Sequence, residues 1–239
     1  MVENNIQNER SCYYFICITL FGVTPKNNST AVARKKTGHK GERTRESILR
    51  AAVDLASLEG LEGLSIGRLA SELEMSKSGL FAHFGSKQDL QVATVEMASE
   101  IFKDKVVLPA LAAPKGMPRL LALCEEWLSH VENKVFPGGC FFTAASFEFD
   151  SRPGPVRSAI VKAMSMWLST LTRAIEEAQS IGHLRRDVKA SQLALEIYSM
   201  AVGGHWASQL LGQRTALANA RETIRARLDS ICVTEQSAR

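Results

Sequence analysis

The chain has 239 residues, of which 45% are hydrophobic, enough for a sizeable core in one large or two modest domains. Its formal net charge is only +4, which argues against a small, strongly basic architectural DNA binder. Its five cysteines form no C-x-x-C pair and have no histidines at zinc-ligand spacing, so we expect neither a disulfide framework nor a metal site, and a reducing cytoplasm fits best.

Residues 1–33 form an amino-terminal extension that carries equal numbers of acidic and basic side chains. Its apolar run, residues 13–23, is shorter than the ~20 residues that a membrane-spanning helix needs. We expect either a disordered extension or one created by a start codon assigned too far upstream. The alternative is that the run packs on the folded domain or touches a membrane. Deletion of residues 1–33 is expected to leave stability, dimerisation and DNA affinity unchanged.

A basic segment follows, because residues 34–45 hold six basic residues and one acidic residue. The arm itself is placed at residues 34–43. Arg43 at its end and Arg45 just after it are candidate phosphate or minor-groove contacts. The alternative is a solvated, disordered tail.

The first domain helix is predicted to begin near Thr44. Gly60 is placed to end this helix in a left-handed conformation. Its buried stripe is predicted to consist of Ile48, Ala51, Ala52, Leu55 and Leu58.

Two short helices joined by a tight turn are predicted next. Ser65 is a candidate N-cap, and the apolar spacing after it predicts a helix over residues 66–73. Glu74 and Met75 form the corner, with the Met75 side chain between the helices. Ser76 then caps a second helix that runs through Phe84. This arrangement is a helix-turn-helix.

The second of these helices has the composition of a reading helix. Leu80 and Phe84 are needed inward, which leaves a short, mostly small and polar set able to approach the floor of a DNA major groove. The members of this set are Lys77, Ser78, Gly79, Phe81 and His83, and Ser65 at the start of the preceding helix is a further candidate DNA contact. Substitution of Lys77 is expected to alter base preference if its ammonium reaches a guanine edge.

The residues at this point resemble the TetR family of one-component bacterial transcription regulators. The match covers about residues 44–90 at fixed spacing and implies a DNA-binding domain there. It further implies that a helix from Ser86 to about Val107 links this domain to a regulatory one, and that Lys87 faces a phosphate. Many members have tyrosine at the position of Phe81, which here leaves only stacking or apolar contact. The matching positions are Ser65-Ile66, Leu69-Ala70, Ser76, Leu80-Phe81, His83-Phe84 and Ser86-Lys87.

Residues 91–232 are predicted to form an all-α domain for ligand binding and dimerisation, followed by a tail at 233–239. Gly182 and Gly212 act as stop signals. The predicted helices lie roughly at 118–134, 141–147, 155–181, 188–211 and 215–232.

Self-association is expected because one helix-turn-helix reads only a few base pairs. The resemblance implies a homodimer in which the last two helices of each subunit form a four-helix interface. Small residues that permit close helix approach are Ala201, Gly203, Gly204 and Ala207, flanked by Ile197, Leu210 and Leu211, with Ile224, Leu228 and Ile231 on the last helix. The alternative is that Gly203 and Gly204 pack within their own subunit.

An effector pocket is predicted in the middle of the helical domain, with plain core packing as the alternative reading. Residues 137–143 are the candidate mobile wall, because two glycines there break a helix beside aromatic residues. Nearby polar groups include Thr143, His130 and His205. The candidate pocket residues are Trp127, Cys140, Phe141, Phe142, Met164, Trp167 and Trp206.

Together these patterns predict a dimeric, cytoplasmic repressor that a small apolar or amphipathic ligand releases from an inverted-repeat operator. No cofactor, metal or membrane partner is expected, and no enzymatic activity. The chain contains no paired Glu-x-x-His motif, H-E-x-x-H, Walker loop or G-x-G-x-x-G. The alternative is an all-α enzyme, or a helical adaptor with a non-regulatory DNA-binding or interaction role.

Overall fold

The computed structural model describes residues 37–233, with side chains from residue 41 onward. The predictions for residues 1–33, the first part of the basic arm and most of the 233–239 tail lie outside the described residues. From Glu42 onward the chain clusters as one compact unit.

The described residues form nine helices and no strand beyond an isolated bridge between Leu184 and Cys232. The all-α prediction and the order of its helices are confirmed. The helices are α1 (Thr37–Glu59), α2 (Ile66–Glu72), α3 (Lys77–Phe84), α4 (Lys87–Phe102, continued through a π-helical turn at Lys103–Val107 into Leu108–Leu111), α5 (Met117–Glu132), α6 (Phe141–Phe149), α7 (Pro155–Ser180), α8 (Ala190–Leu211) and α9 (Ala216–Asp229).

Helix α1 ends before a left-handed Gly60 as predicted, but it differs from its prediction at its start and in its buried stripe. It begins at Thr37 rather than near Thr44, because its first turns are polar and carry no apolar period from which a start could be read. The predicted stripe is wrong at Leu58, which is 63% exposed. Ser57 lies on the covered side instead, where the backbone of Gly138 packs against it.

The predicted N-caps of α2, α3 and α4 are confirmed. The hydroxyls of Ser65, Ser76 and Ser86 accept hydrogen bonds from the backbone N–H three residues later, at 3.0–3.1 Å. Each such cap contributes about 1 kcal/mol to helix stability. The local sequence therefore sets where each of these helices begins.

The helical domain is built around α7, which packs against α4, α5, α6 and α8, while α9 lies on α8 and α5. Arg119 of α5 is buried and paired with Glu177 of α7 at 3.1 Å, and it also donates to the carbonyl of Ala113. Within residues 37–233, no helix is long and apolar enough to cross a bilayer.

Candidate nucleic-acid interface and effector site

The corner between α2 and α3 is formed by backbone geometry that the sequence pattern does not show. Glu74 adopts a left-handed conformation, with φ of 51°, and the Met75 N–H donates to the carbonyl of Ala70 at 2.9 Å. Met75 is half-buried and packs against the core. Leu80 and Phe84 are buried as predicted, so α3 is held by its inner face.

The outer face of α3 presents the predicted reading residues. Lys77 and Ser78 are exposed, Gly79 and His83 are half-buried, and Phe81 is 55% exposed. A large aromatic side chain left in solvent on a short helix is suited to contact with a base or sugar.

Lys77 curves back toward the start of α2. A Cβ atom placed on Gly67 would lie 3.4 Å from Lys77 Cε and 3.7 Å from its Nζ. The Lys77 ammonium therefore lies beside the first turn of α2, at the edge of the outer face of α3.

The carboxyl end of the basic arm lies within α1. Arg43 and Arg45 are both exposed, and the Arg45 guanidinium carbon lies 5.2 Å from the centre of the Phe84 ring. This contact directs Arg45, just after the arm, toward the end of α3.

Lys87 forms an ion pair across the start of α4. Its Nζ lies 3.0 Å from Glu62 Oε1, and both side chains are 44% exposed. The hydrogen bond from Lys87 is the main cause that holds the pKa of Glu62 below its ordinary value, against partial desolvation. An exposed pair of this kind contributes little to stability, so a DNA phosphate can compete with Glu62 for this ammonium.

An aromatic cluster fills the helical domain, with Phe102 at its centre. The Phe102 ring makes edge contacts with Trp167, His130 and Phe142 at centroid distances of 5.0, 5.5 and 6.0 Å. The π-helical turn begins at the next residue, Lys103, and π turns are frequent at functional sites. The aromatic cluster consists of Phe102, Trp127, His130, Phe136, Phe141, Phe142, Trp167 and Tyr198.

Four of the predicted pocket residues, Trp127, Phe141, Phe142 and Trp167, belong to this cluster. Cys140 is buried beside it, and Met164 is half-buried against the core.

Trp206 requires a correction, because it is 53% exposed on α8 and lies outside the aromatic cluster. The pattern also missed Phe102, Phe136 and Tyr198. No local signal marked these residues, since each joins the cluster from a different segment of the chain.

Several buried nitrogen atoms of this region have no hydrogen-bond partner among the described residues. They are both ring nitrogens of His130, Nε1 of Trp167 and Nδ1 of His205. Burial lowers the pKa of His130 to about 4 and also lowers that of His205. An unpaired buried polar group costs roughly 1–3 kcal/mol of folding stability. Nitrogen-bearing rings without partners are therefore less favourable here than the purely apolar side chains of an ordinary hydrophobic core.

The loop at residues 137–140 joins the aromatic cluster to α1. The N–H of Gly138 donates to Ser57 Oγ at 3.0 Å, and a Cβ atom on Gly138 would lie 1.7 Å from the Ser57 carbonyl oxygen. Two residues later, the Cys140 N–H donates to His205 Nε2 at 3.0 Å. The loop follows Phe136 directly, so its backbone connects the cluster, α8 and the end of α1.

The turn between α1 and α2 is held from two sides. Glu148 of α6 accepts hydrogen bonds from the N–H groups of Leu61 and Glu62 at 2.8 and 2.9 Å. Gln91 of α4 donates to the carbonyl of Leu61 at 2.8 Å. Gly60 starts the turn at φ 87°, where a side chain would be strained and its Cβ would lie 3.0 Å from Glu148. Hydrogen bonds from α6 and α4 therefore fix the turn that precedes the helix-turn-helix.

One face of α8 is exposed along its whole length. Residues 195, 199, 203, 206 and 210 recur every three or four positions, and Leu195, Trp206 and Leu210 are 55%, 53% and 69% exposed. We call these five residues the α8 stripe. A Cβ atom on Gly203 would meet nothing within 4 Å.

Of the other residues expected at the subunit interface, Leu211 is 51% exposed, whereas Gly204 and several apolar residues pack inside the subunit. A Cβ atom on Gly204 would lie 2.6 Å from the Cβ of Ala220 on α9, so this glycine serves close packing of α8 on α9. Four of the apolar residues expected at the interface are at most 4% exposed within the subunit and belong to its own core. These are Ile197, Ile224, Leu228 and Ile231.

Comparison with known families yields two matches on this chain. Residues 48–94 match the family described as bacterial regulatory proteins, tetR family. Residues 116–224 match the family described as Tetracyclin repressor-like, C-terminal domain. The first match contains the second half of α1, all of α2 and α3 and the start of α4, and the second runs from α5 into α9.

A curated relative and several solved structures are similar to this chain. The regulator TcmR from Streptomyces glaucescens, described as helix-turn-helix type, is 28% identical over 79 residues, which are 33% of this chain and 35% of TcmR. The chain thus matches about a third of that relative's length.

Two of the solved structures agree over nearly their whole length. A TetR transcriptional regulator from Chloroflexus aurantiacus superposes with a TM-score of 0.75 at 24% identity, covering 81% of this chain and 98% of that one. AibR in complex with isovaleryl coenzyme A and operator DNA has a TM-score of 0.62 at 20% identity, and the match covers 77% of this chain and 97% of AibR. These likenesses establish the shared fold.

Proposed function

This chain belongs to the TetR family of bacterial regulatory proteins and is a DNA-binding transcriptional regulator; we propose that it acts as a homodimeric repressor. In this proposal it binds an inverted-repeat operator through α3, and a small molecule bound at the aromatic cluster releases it. The observation that carries the proposal is the exposed outer face of α3, with Lys77, Ser78 and Phe81 presented on a helix anchored by Leu80 and Phe84.

The α8 stripe supports the dimer. Leu195, Trp206 and Leu210 form an exposed apolar row on a long helix, with Gly203 open between them for close approach of a second helix. Pairing two copies through this row gives two reading helices, which bind half-sites about one helical turn apart or a multiple of it. A protein with this role works in the cytoplasm, where a bacterial operator lies.

Release by ligand requires two states of the protein with different operator affinities. Ligand bound in the aromatic cluster would reposition α4, which begins just after α3. The separation of the two α3 helices in the dimer would then change. Two further contacts support such coupling, namely Gly138 with Ser57 and Glu148 with Leu61. The AibR structure, which holds both an acyl coenzyme A and operator DNA, is a precedent in the same fold.

The enzyme and adaptor alternatives are not favoured by the comparisons, which match regulators over both parts of the chain. Among residues 37–233, no group of three His, Cys, Asp or Glu side chains is arranged to hold a metal ion.

A gel-shift titration of the full-length protein on its own upstream region tests the proposal. We expect a sequence-selective shift that weakens steeply with salt. Absence of any such shift would refute operator binding. If a tightly bound ligand left operator affinity unchanged, the release mechanism would be wrong while DNA binding stood.

A further inference from the structure

The unpartnered nitrogens of the aromatic cluster point to the chemistry of the effector. His130 is 3% exposed and Trp167 is 6% exposed, and both rings pack edge-on against Phe102. Neither has a hydrogen-bond partner among the described residues. The fold makes no use of these polar groups, although carbocyclic aromatic side chains could fill the same space.

The hydrogen-bonding capacity of these groups can be counted. Trp167 Nε1–H is a donor only. His205 accepts the Cys140 N–H at Nε2, so in the neutral ring its proton is on Nδ1, which becomes a donor. Neutral His130 offers one donor and one acceptor. The region therefore presents three unused donors and one unused acceptor.

The surroundings are unsuited to a charged ligand. Among the described residues that are buried, the only formally charged side chain is Arg119, which is already paired with Glu177. Burial lowers the pKa of both His130 and His205, so neither supplies a positive charge near neutral pH. A buried ion without a partner is strongly disfavoured.

The walls favour a flat molecule. Trp127 stacks on Tyr198 with 16° between their planes, while Phe102, Phe136 and Trp167 present ring edges. Aromatic rings pair well both in stacked and in edge-on geometries. Phe136 covers His130 at a centroid distance of 4.7 Å, immediately before the 137–140 loop. Displacement of Phe136 would both uncover the imidazole and move the loop that touches α1.

We propose that the effector is an uncharged aromatic molecule bearing carbonyl oxygen and a hydroxyl group, recognised by Trp167 Nε1–H and by the two nitrogens of His130. This inference rests on the proposed function, since it names the ligand class of the same site. The carbonyl oxygen accepts from Trp167 Nε1–H and from the protonated nitrogen of His130, and the hydroxyl donates to the other nitrogen of that imidazole.

Three naphthalene probes of similar size test the proposal on the full-length protein. Hydroxyacetonaphthone carries both polar groups without charge, ethylnaphthalene carries neither, and hydroxynaphthoate is an anion. Binding is followed by the fluorescence of hydroxyacetonaphthone and by its displacement. We expect it to bind at least about tenfold more tightly than either control, since each satisfied buried hydrogen bond is worth up to about that factor.

Two variants connect the preference to the named atoms. His130→Phe and Trp167→Phe retain an aromatic ring but remove the nitrogens, and each is expected to reduce the preference for hydroxyacetonaphthone over ethylnaphthalene several-fold. Affinity for ethylnaphthalene itself should be unchanged, which controls for loss of the fold. The inference is overturned by equal binding of the hydrocarbon, by tighter binding of the anion, by no binding of hydroxyacetonaphthone, or by variants that keep the preference.

A gel shift on the same samples separates this inference from the proposed function. If the preference is found but no operator shift occurs, the regulatory proposal fails and the ligand chemistry stands. If the operator shift occurs but the preference is absent, the ligand chemistry alone fails.

Discussion

Lys87 illustrates how one side chain can serve two partners. In the structure its ammonium pairs with Glu62 across the entrance to α4. The resemblance to the TetR family predicts that this lysine contacts a DNA phosphate when the protein is bound to its operator. The two roles are compatible, because an exposed ion pair is weak enough to exchange for DNA.

We expect Lys87→Ala to weaken binding to all DNA sequences similarly, because a phosphate contact carries no base information. The slope of log affinity against log salt should fall by about 1 per subunit. Salt titrations on matched and scrambled operators measure both quantities. Lys162→Ala, at an exposed position on α7, is the matched control. A loss confined to the matched operator would instead make Lys87 a base-reading residue.

His130 gives a pH dependence whose sign follows from its burial. The pKa of this imidazole falls from 6.5 to about 4 on folding, because the charged form is desolvated. As pH falls through 6.5, the unfolded chain takes up a proton that the folded protein does not. Folding stability is therefore complete above pH 6.5 and declines as the pH approaches 4.

The free energy of unfolding is expected to fall by about 3 kcal/mol from this residue across that window. His130→Phe should show a correspondingly flatter pH dependence in urea titrations at neutral and mildly acidic pH. Part of the slope should remain, since burial lowers the pKa of His205 in the same direction. Identical slopes in the parent protein and the variant would show that His130 is protonated freely in the folded state.

At the scale of elements, the turn between α1 and α2 depends on α6. The Glu148 carboxylate accepts two backbone N–H groups there, at Leu61 and Glu62. Hydrogen bonds to a charged acceptor contribute more than neutral ones.

We expect Glu148→Gln to lower the free energy of unfolding by roughly 2 kcal/mol, because an amide turns a donor toward one of the two N–H groups. Urea titration measures this loss. Glu222→Gln, at an exposed position on α9, is the control. An unchanged unfolding midpoint would mean that water replaces the carboxylate without cost.

Gly138 sets how closely the 137–140 loop approaches α1. A Cβ atom here would lie 1.7 Å from the Ser57 carbonyl oxygen, and a backbone atom cannot swing aside as a flexible side chain can. Gly138→Ala is therefore expected to lower the free energy of unfolding by roughly 1–3 kcal/mol through a forced backbone shift.

Gly41→Ala is the control for Gly138→Ala. A Cβ atom placed on Gly41 would meet nothing within 4 Å. There, alanine within a helix should be neutral or stabilising by up to about 1 kcal/mol. Thermal unfolding of the two variants compares them directly. Equal stability would show that the loop contact yields easily and does not hold α1.

At the scale of the whole molecule, assembly is expected to depend on the α8 stripe. Trp206→Glu and Leu210→Glu place a charge on the exposed apolar row, and burying an unpaired charge between subunits is strongly disfavoured. We expect a folded, helical monomer that has lost most of its operator affinity, because a monomer carries only one helix-turn-helix. Light scattering and gel shift measure the two effects.

Val161→Glu is the matched control for the α8 stripe, since this residue is 45% exposed on α7, outside the row. It should remain dimeric and bind the operator. Dimers that persisted in both stripe variants would move the subunit interface to another face of the molecule.

The sequence alone determined the local structure of this protein. The caps at Ser65, Ser76 and Ser86, the inward Leu80 and Phe84 and the glycine that ends α1 were all predicted, because these signals act over a single helical turn. The all-α class followed from apolar spacing in the same way. Which residues of α3 lie outward followed from the same pattern, since an eight-residue helix with two inward residues leaves little choice of outer face, and their role in reading DNA stays a prediction.

Only the tertiary structure decided which apolar residues are covered and by what. Leu58 and Trp206 are exposed, whereas Ile224 and Leu228 are buried, because burial depends on which helix arrives on each face from distant parts of the chain. The same reason explains the omission of Phe102 from the predicted pocket and of Ser57 and Glu148 from the predicted coupling. Their partners, Trp167, Gly138 and Leu61, lie far away in sequence, and periodicity carries no information about contacts at that separation.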